Sequence, residues 1–538
     1  MKQQRLFWVL ITIMAFVVTL LAWTGYSGSG RKPQVYLNDP NSLLAFNDKV
    51  IDLMQVQFLD FLNGEKDNGP NVFGGSITKS FDYKEAWGHI HAYSKRICKE
   101  KYDSSKFHQM ALRARSAFIA YRILYEASPQ LQKELASISY GGSLKALKAS
   151  LHGIVDDLTQ VLYPWINPPY NSILNMQLSF LKGPSVGIAF TCGTRQFYMS
   201  QHAILALREV WNIHLPVEVF YAGSNDLHPY MVDALNKMKN VKAINILEIF
   251  SQETHKWGSW SLKPFAILAA SFQQVLFMDA DVLFLKDPRE VLKSPLYKKN
   301  GHLFYRDRKL REEGYVKGTV WFNEINPHLS KYARSLSYTN QDPSIYSTTH
   351  QMESGFIPVD KGRSGILFSL LMACKMNSAD ERNAVLYKYT YGDKESFWFS
   401  AEMMRVPYAF NPSYGGVIGG KDNNRSKNGW SVVCGIWLLH IDESEEPFWW
   451  NGGGVLRYRE AVKDFEFVDF EYIASHKFKD DLNQNQWVGP GHCFKQIDSQ
   501  VFALTPAQDV LMEKYKDIFR TKIKEIVLPP PPEEKKDQ

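Results

Sequence analysis

Between Ser185 and Phe284 the chain alternates short apolar runs with helical stretches, and this alternation restricts the fold more than any other feature. "SVGIAFTCG" ends in Gly as a buried strand would, and "QFYMSQHAILALREVWNIH" follows with apolar residues at helical spacing. "LPVEVFYAGSNDL" gives a second strand and turn, "HPYMVDALNKMKNV" a helix, and "KAINILEIF" a third strand. "SLKPFAILAASFQQ" then reads as a helix before "QVLFMDADVLFLKDP", the fourth strand. The pattern predicts an α/β layer architecture with a largely parallel sheet. Right-handed crossovers place a ligand crevice at the carboxyl ends of such strands, where Thr191, Tyr221, Asp279 and Asp281 fall.

The rest of the chain is arranged around this core. Lys2 and Arg5 precede an uncharged run, Leu6 to Trp23, long enough as a helix (roughly 27 Å) to cross most of a bilayer core. A cleaved signal peptide is the competing reading, but the run exceeds a signal h-region. We expect a cytosolic tail at 1–5, a signal anchor at 6–23, and a lumenal body beyond it. Residues 24–85, with Gly, Ser, Pro and Asn in clusters, read as a stem in which a short helix around Asn41 to Leu62 fits. Residues 86–183 have helical periodicity, 184–455 form the α/β domain, 456–528 a C-terminal accessory region, and 529–538 a Pro-rich charged tail expected to be disordered. The net charge of +6 is mild and spread out, so no nucleic-acid partner follows from it. The five cysteines, an odd number without a C-x-x-C, exclude a zinc ribbon and leave at least one thiol free or paired with another chain. Asn424-Arg425-Ser426 is an N-x-[ST] sequon, expected on a surface loop.

Asp279 and Asp281 stand in an apolar run. Side chains two apart on a strand share a face, so the two carboxylates converge and repel. A divalent cation reverses the sign of that interaction, and oxygen ligands select a hard ion, Mn²⁺ or Mg²⁺. His440, at the end of "SVVCGIWLLHID", reads as a third ligand or as a core histidine bonded to backbone. Glu353 lies in "HQMESGFIPVD", and Asp393 in "YTYGDKESFW", where it reads equally as a helix N-cap.

In order, these segments carry a resemblance: strand and D-x-D, E-S-G with a strand, G-D-K-E-S-F-W, then a strand ending in H-x-D before P-F-W-W-N-G. Together with "YAGSNDL" and "KPFAIL", residues 184–455 resemble the fungal Golgi α-1,3-mannosyltransferase family, which the anchor and stem also suit. The resemblance implies a GT-A fold with a Rossmann-like mixed sheet, Mn²⁺, and retaining transfer in the Golgi lumen. The implied donor is GDP-mannose and the implied acceptor a mannose-terminated glycan on secretory glycoproteins. It implies that Asp279 meets the ribose and metal, that Asp281 holds the metal, with His440 as third ligand by looser analogy with other retaining GT-A enzymes, and that Thr191, Arg195 and Tyr221 line the nucleotide pocket. Lys263 reads as a donor contact or as a solvated lysine. Relatives of such a site often carry a Lys after the H-x-D, whereas Glu443, Glu445 and Glu446 stand here, so either Lys263 or Arg195 supplies the cation or catalysis is weaker than the family norm. Asp393 or Glu353 is expected to face the sugar ring, and both a front-face and a covalent route remain open. The rival readings are a UDP-sugar donor, a D-x-D phosphohydrolase, and a membrane-tethered glycan-binding protein without activity. Continuation of the strand through Val282-Leu283-Phe284 argues against the phosphohydrolase.

Overall fold

The four apolar runs form β1 (Val186–Thr191), β2 (Val217–Tyr221), β3 (Val241–Asn245) and β4 (Gln274–Met278), all parallel, in the order β3-β2-β1-β4. The computed structural model describes residues 48–64, 81–250, 259–339, 348–456, 466–475, 486–489 and 492–523. The expected anchor and tails lie outside the described residues, among which no helix is long and apolar enough to cross a membrane. The interior of β1 is buried throughout, as a sheet covered on both faces requires. The chain winds outward from β1 to β3 and returns to β4 on the other side of β1. That reversal opens a crevice at the carboxyl ends of β1 and β4.

Two short strands, β5 (Leu283–Phe284) and β6 (Tyr305–Arg306), follow, and β6 pairs with β7 (Met352–Glu353). β8 (Phe356–Asp360) then closes the first sheet antiparallel to β4, which makes that sheet mixed. A second sheet is antiparallel and contains β9 (Gly416–Lys421), β10 (Trp430–Ile441) and β11 (Pro447–Asn451). It reaches the D-x-D segment directly, because β11 pairs with β5 through Trp449–Phe284 and Trp450–Leu283. A disulfide between Cys434 and Cys493 ties β10 to the strand Cys493–Ile497, and Cys98, Cys192 and Cys374 are free thiols. Asn424 is exposed on the turn between β9 and β10.

Among the described residues six α-helices precede β1, from Asp48–Asn63 to Ile173–Lys182. Their ends follow local chemistry: the Asp82, Ser128 and Ser143 side chains accept from backbone N–H groups of the first turns, and Gly141 ends one helix in the left-handed region at φ 55°. The helix Phe107–Tyr125 is buried on nearly every side. The helix Asp48–Asn63, within the segment read as a stem, is packed against the body. Its Asp52 pairs with buried Arg115, whose Nη1 donates to the Met403 carbonyl at 2.7 Å. The Arg405 guanidinium grips Asp60 through two bonds of 2.9 and 3.1 Å.

Candidate active site

A cleft of about 690 Å³ opens where the strand order reverses. Thr191 from the end of β1, Arg195 from the turn after it, Lys263 from the helix Leu262–Ala269, and Asp279 and Asp281 after β4 all line it. Tyr221 ends β2 beside the cleft; its neighbour Ala222 lines it, whereas Tyr221 itself does not. Asp226 fixes this rim by accepting Ala222 N–H at 2.9 Å while its carbonyl accepts the Thr194 N–H at 2.7 Å. The two βα loops are thus buckled together.

The D-x-D segment departs from the expected strand. β4 stops at Met278, Asp279 N–H donates to the Gly355 carbonyl at 2.8 Å, and the Val282 N–H closes a turn onto Asp279 O at 3.2 Å. β5 then resumes in the other sheet, so the two acids sit on a corner between sheets and still share one cleft. Lys263 is no solvated lysine. It is buried, and its Nζ donates to Asp279 Oδ2 at 2.7 Å and to Ser354 Oγ at 3.1 Å. Burial opposes its charge, but Asp279 and Asp393 outweigh burial and raise its pKa, so the ammonium persists. Burial, reinforced by Asp279, pushes the Asp281 carboxyl up to about 7.

Behind the cleft is a second group of acids. Lys394 Nζ donates to Asp307 Oδ2 at 2.7 Å and Glu353 Oε2 at 2.9 Å. Glu353 Oε1 accepts from Asn451 Nδ2 at 2.9 Å and from Gly355 N–H at 3.0 Å, so both its oxygens are committed. Asp393 differs. It is buried, its Oδ2 has no hydrogen-bond partner among the described residues, and burial pushes its carboxyl up to about 6 against the pull of Lys263. It is not a helix cap, since the helix Ser396–Met403 has no side-chain cap bond. Glu395 accepts from Gln351 N–H at 2.8 Å and from the Trp398 indole, and burial raises it to about 8.

His440 ends β10 with its ring stacked on Trp449, 4.0 Å between centroids and 19° between planes. It makes no backbone bond through Nε2, which has no hydrogen-bond partner among the described residues, and burial pushes the imidazole down to about 4. The charged groups acting on it most are Glu353 and Asp307, opposed by Lys394 and Arg308, rather than the D-x-D pair. Among the described residues no three His, Cys, Asp or Glu side chains gather as a metal-ligating group. Asp279 and Asp281 alone suit a hard cation that takes its other ligands from phosphate and water.

Sequence reasoning missed Asp307, Lys394, Asn451, Asp226 and Trp260. Lys394 and Asn451 lie inside the quoted G-D-K-E and W-W-N-G motifs, and Asp226 inside "YAGSNDL". Asp307 has no local signal. Glu443, Glu445 and Glu446 do not line the cleft; Glu443 accepts from Ser294 Oγ, and Lys286 engages Asp442 at 2.7 Å.

Residues 185–442 match the family model described as "Mannosyltransferase putative". The α-1,3-mannosyltransferase MNN1 of Saccharomyces cerevisiae is 26% identical over 343 residues, 55% of this chain and 44% of that protein. MNT3, an α-1,3-mannosyltransferase of the same yeast, is 25% identical over 256 residues, 43% of this chain and 38% of that protein. The chain thus spans about half the length of the curated relatives it matches or less. A crystal structure of the galactosyltransferase LgtC aligns over 42% of this chain and 73% of its own, at 13% identity and a TM-score of 0.27, too low to bear on the argument. The resemblance that the motifs carry, to the fungal α-1,3-mannosyltransferases, stands on the family match and the curated relatives.

Proposed function

On the footing of that family match, we propose that the chain is a retaining glycosyltransferase of GT-A type that moves mannose from GDP-mannose to a mannose-terminated glycan, forming an α-1,3 linkage. The observation that carries the reading is the convergence of Thr191, Arg195, Lys263, Asp279 and Asp281 on one cleft, with the Asp393 carboxyl electrostatically coupled to Lys263 and Asp279. In this reading the nucleotide lies over the ends of β1 and β2, and the diphosphate over Lys263 and the D-x-D corner.

Cleavage of the glycosyl–phosphate bond sends negative charge onto the diphosphate and positive charge onto the sugar. Lys263 faces the first, already in place and desolvated, so little reorganisation is needed as charge develops. Arg195, exposed on the cleft rim, supplies a second cation. A Mn²⁺ or Mg²⁺ ion held by Asp279 and Asp281, with phosphate and water rather than His440 completing its ligands, would add Lewis-acid charge at the same oxygens. Asp393 rather than Glu353 is assigned the sugar side. Its second oxygen is uncommitted, whereas Glu353 is tied by Lys394 and Asn451 and acts as scaffold. A place in the Golgi lumen, with an anchor at 6–23, completes the proposal.

Calorimetric titration of GDP and then UDP into the purified chain, with and without Mn²⁺, tests it. Mn²⁺-dependent GDP binding that disappears in Asp281→Asn is expected. A preference for UDP would replace the donor, and binding of neither nucleotide under any metal would overturn the proposal.

A further inference from the structure

Two exposed aromatic side chains meet at the mouth of the cleft. Trp260 lines the cleft and is 43% exposed; Tyr391 is 46% exposed; their ring centroids lie 5.4 Å apart. The arc continues inward. Tyr315 packs edge-on to Tyr391 at 6.0 Å, and His350 packs against both, at 5.2 and 6.0 Å. Gly392 brings the Tyr391 backbone against the indole: it has φ 68°, and a Cβ there would stand 2.8 Å from Trp260 Cε3. The next residue is Asp393, the acid assigned to the sugar.

Large aromatic faces are costly to leave in water. Here two are held exposed by tight backbone packing, and polar groups border them. Both tyrosines carry hydroxyls, and His350 Nε2 lies 3.4 Å from a Glu312 carboxylate that is itself half exposed. A pyranose matches this composition, with a C–H face for a ring and hydroxyls for the polar rim. A protein partner would need a wider apolar patch than two rings.

We propose that Trp260 and Tyr391, backed by Tyr315 and His350, form the acceptor subsite, which stacks a pyranose of the acceptor glycan beside Asp393. The proposal deepens the glycosyltransferase reading and rests on it for the identity of the sugar. The subsite positions the attacking hydroxyl; no bond is made or broken by the rings. Continuity of Trp260 with the donor cleft places the acceptor next to the sugar to be transferred.

The test is steady-state transfer by the full chain to α-linked mannobiose, comparing wild type with Tyr391→Ala, Tyr391→Phe and Trp260→Ala. Tyr391→Ala should raise the acceptor KM at least tenfold while the donor KM moves less than threefold. Tyr391→Phe, which keeps the ring, should stay within threefold of wild type on both. Acceptor KM values within threefold of wild type in both alanine variants, or parallel rises in donor and acceptor KM for Tyr391→Ala, would overturn the subsite. If the wild type turns over no sugar nucleotide, the function reading fails and saturation-transfer NMR with mannobiose decides the subsite separately. Transfer to the sugar that is lost in Tyr391→Ala supports it, and no transfer in the wild type refutes it.

Discussion

Replacing Lys394 by Met tests whether one ammonium holds the second acid group together. Lys394 Nζ bridges Asp307 at 2.7 Å and Glu353 at 2.9 Å, and the side chains of those acids are only 6% and 3% exposed. Removing one partner of a buried pair costs about 3–5 kcal/mol, because the remaining charge stays desolvated without compensation. Met keeps most of the stem length, so the loss is of charge rather than packing. In the wild type, burial works against ionisation of both acids, but Lys394, joined by Arg308 and His350 at Asp307 and by His440 and Lys263 at Glu353, outweighs it, holding Asp307 down to about 2 and Glu353 below the usual range. A depressed carboxyl stabilises the fold above its unfolded value of about 4 and loses that contribution as pH falls toward its folded value. Lys394→Met reverses the sign. Both acids then rise above their unfolded values, the folded state holds the extra protons, and stability falls as pH climbs from about 5 to 8. The stability gap to wild type should therefore be narrow at pH 5.0 and widen to about 3–5 kcal/mol at pH 7.5. Urea unfolding followed by tryptophan fluorescence at the two pH values reads it, and adding Glu353→Gln should recover part of the loss. An equal gap at both pH values, or less than about 1 kcal/mol at pH 7.5, would refute the reasoning.

Three further outcomes are expected. Asp281→Asn should remove the Mn²⁺ dependence of nucleotide binding in calorimetry while the far-UV circular dichroism spectrum is retained. Asp393→Asn should lower kcat about 10²–10⁴-fold with little change in donor KM, whereas Glu353→Gln should lower thermal stability more than turnover; equal turnover in wild type and Asp393→Asn would remove Asp393 from the chemistry. Arg405→Met removes both guanidinium bonds to Asp60 and should destabilise the chain by about 3–5 kcal/mol, with the largest gain in amide exchange on the helix Asp48–Asn63.

What the sequence revealed and what it hid divide along the range of the interactions. Thr191, Asp279 and Asp281 were legible because strand period and strand ends are local properties, and α/β topology turns strand ends into one cleft. The turn at Asp279–Val282 was hidden, since it depends on the Gly355 carbonyl from a strand paired alongside. Lys394 was hidden for the same reason: its partners lie 87 and 41 residues away, and Asn451 reaches Glu353 across 98. The helix Asp48–Asn63 was placed in the stem by the Gly, Ser, Pro and Asn clusters around it, because its ties to the body, Asp52–Arg115 and Asp60–Arg405, reach residues distant in sequence.

The missing lysine after the H-x-D is resolved by the same topology. The helix that feeds β4 lays Lys263 directly on Asp279, so positive charge reaches the cleft from the strand's own crossover rather than from the segment after His440. Of the Glu run there, Glu443 accepts from Ser294 Oγ, and none of Glu443, Glu445 and Glu446 lines the cleft. Charge supply in this cleft therefore rests on an ion pair within one βα unit. Loss of Lys263 should weaken nucleotide binding even at saturating Mn²⁺, whereas Glu443→Gln should leave it unchanged.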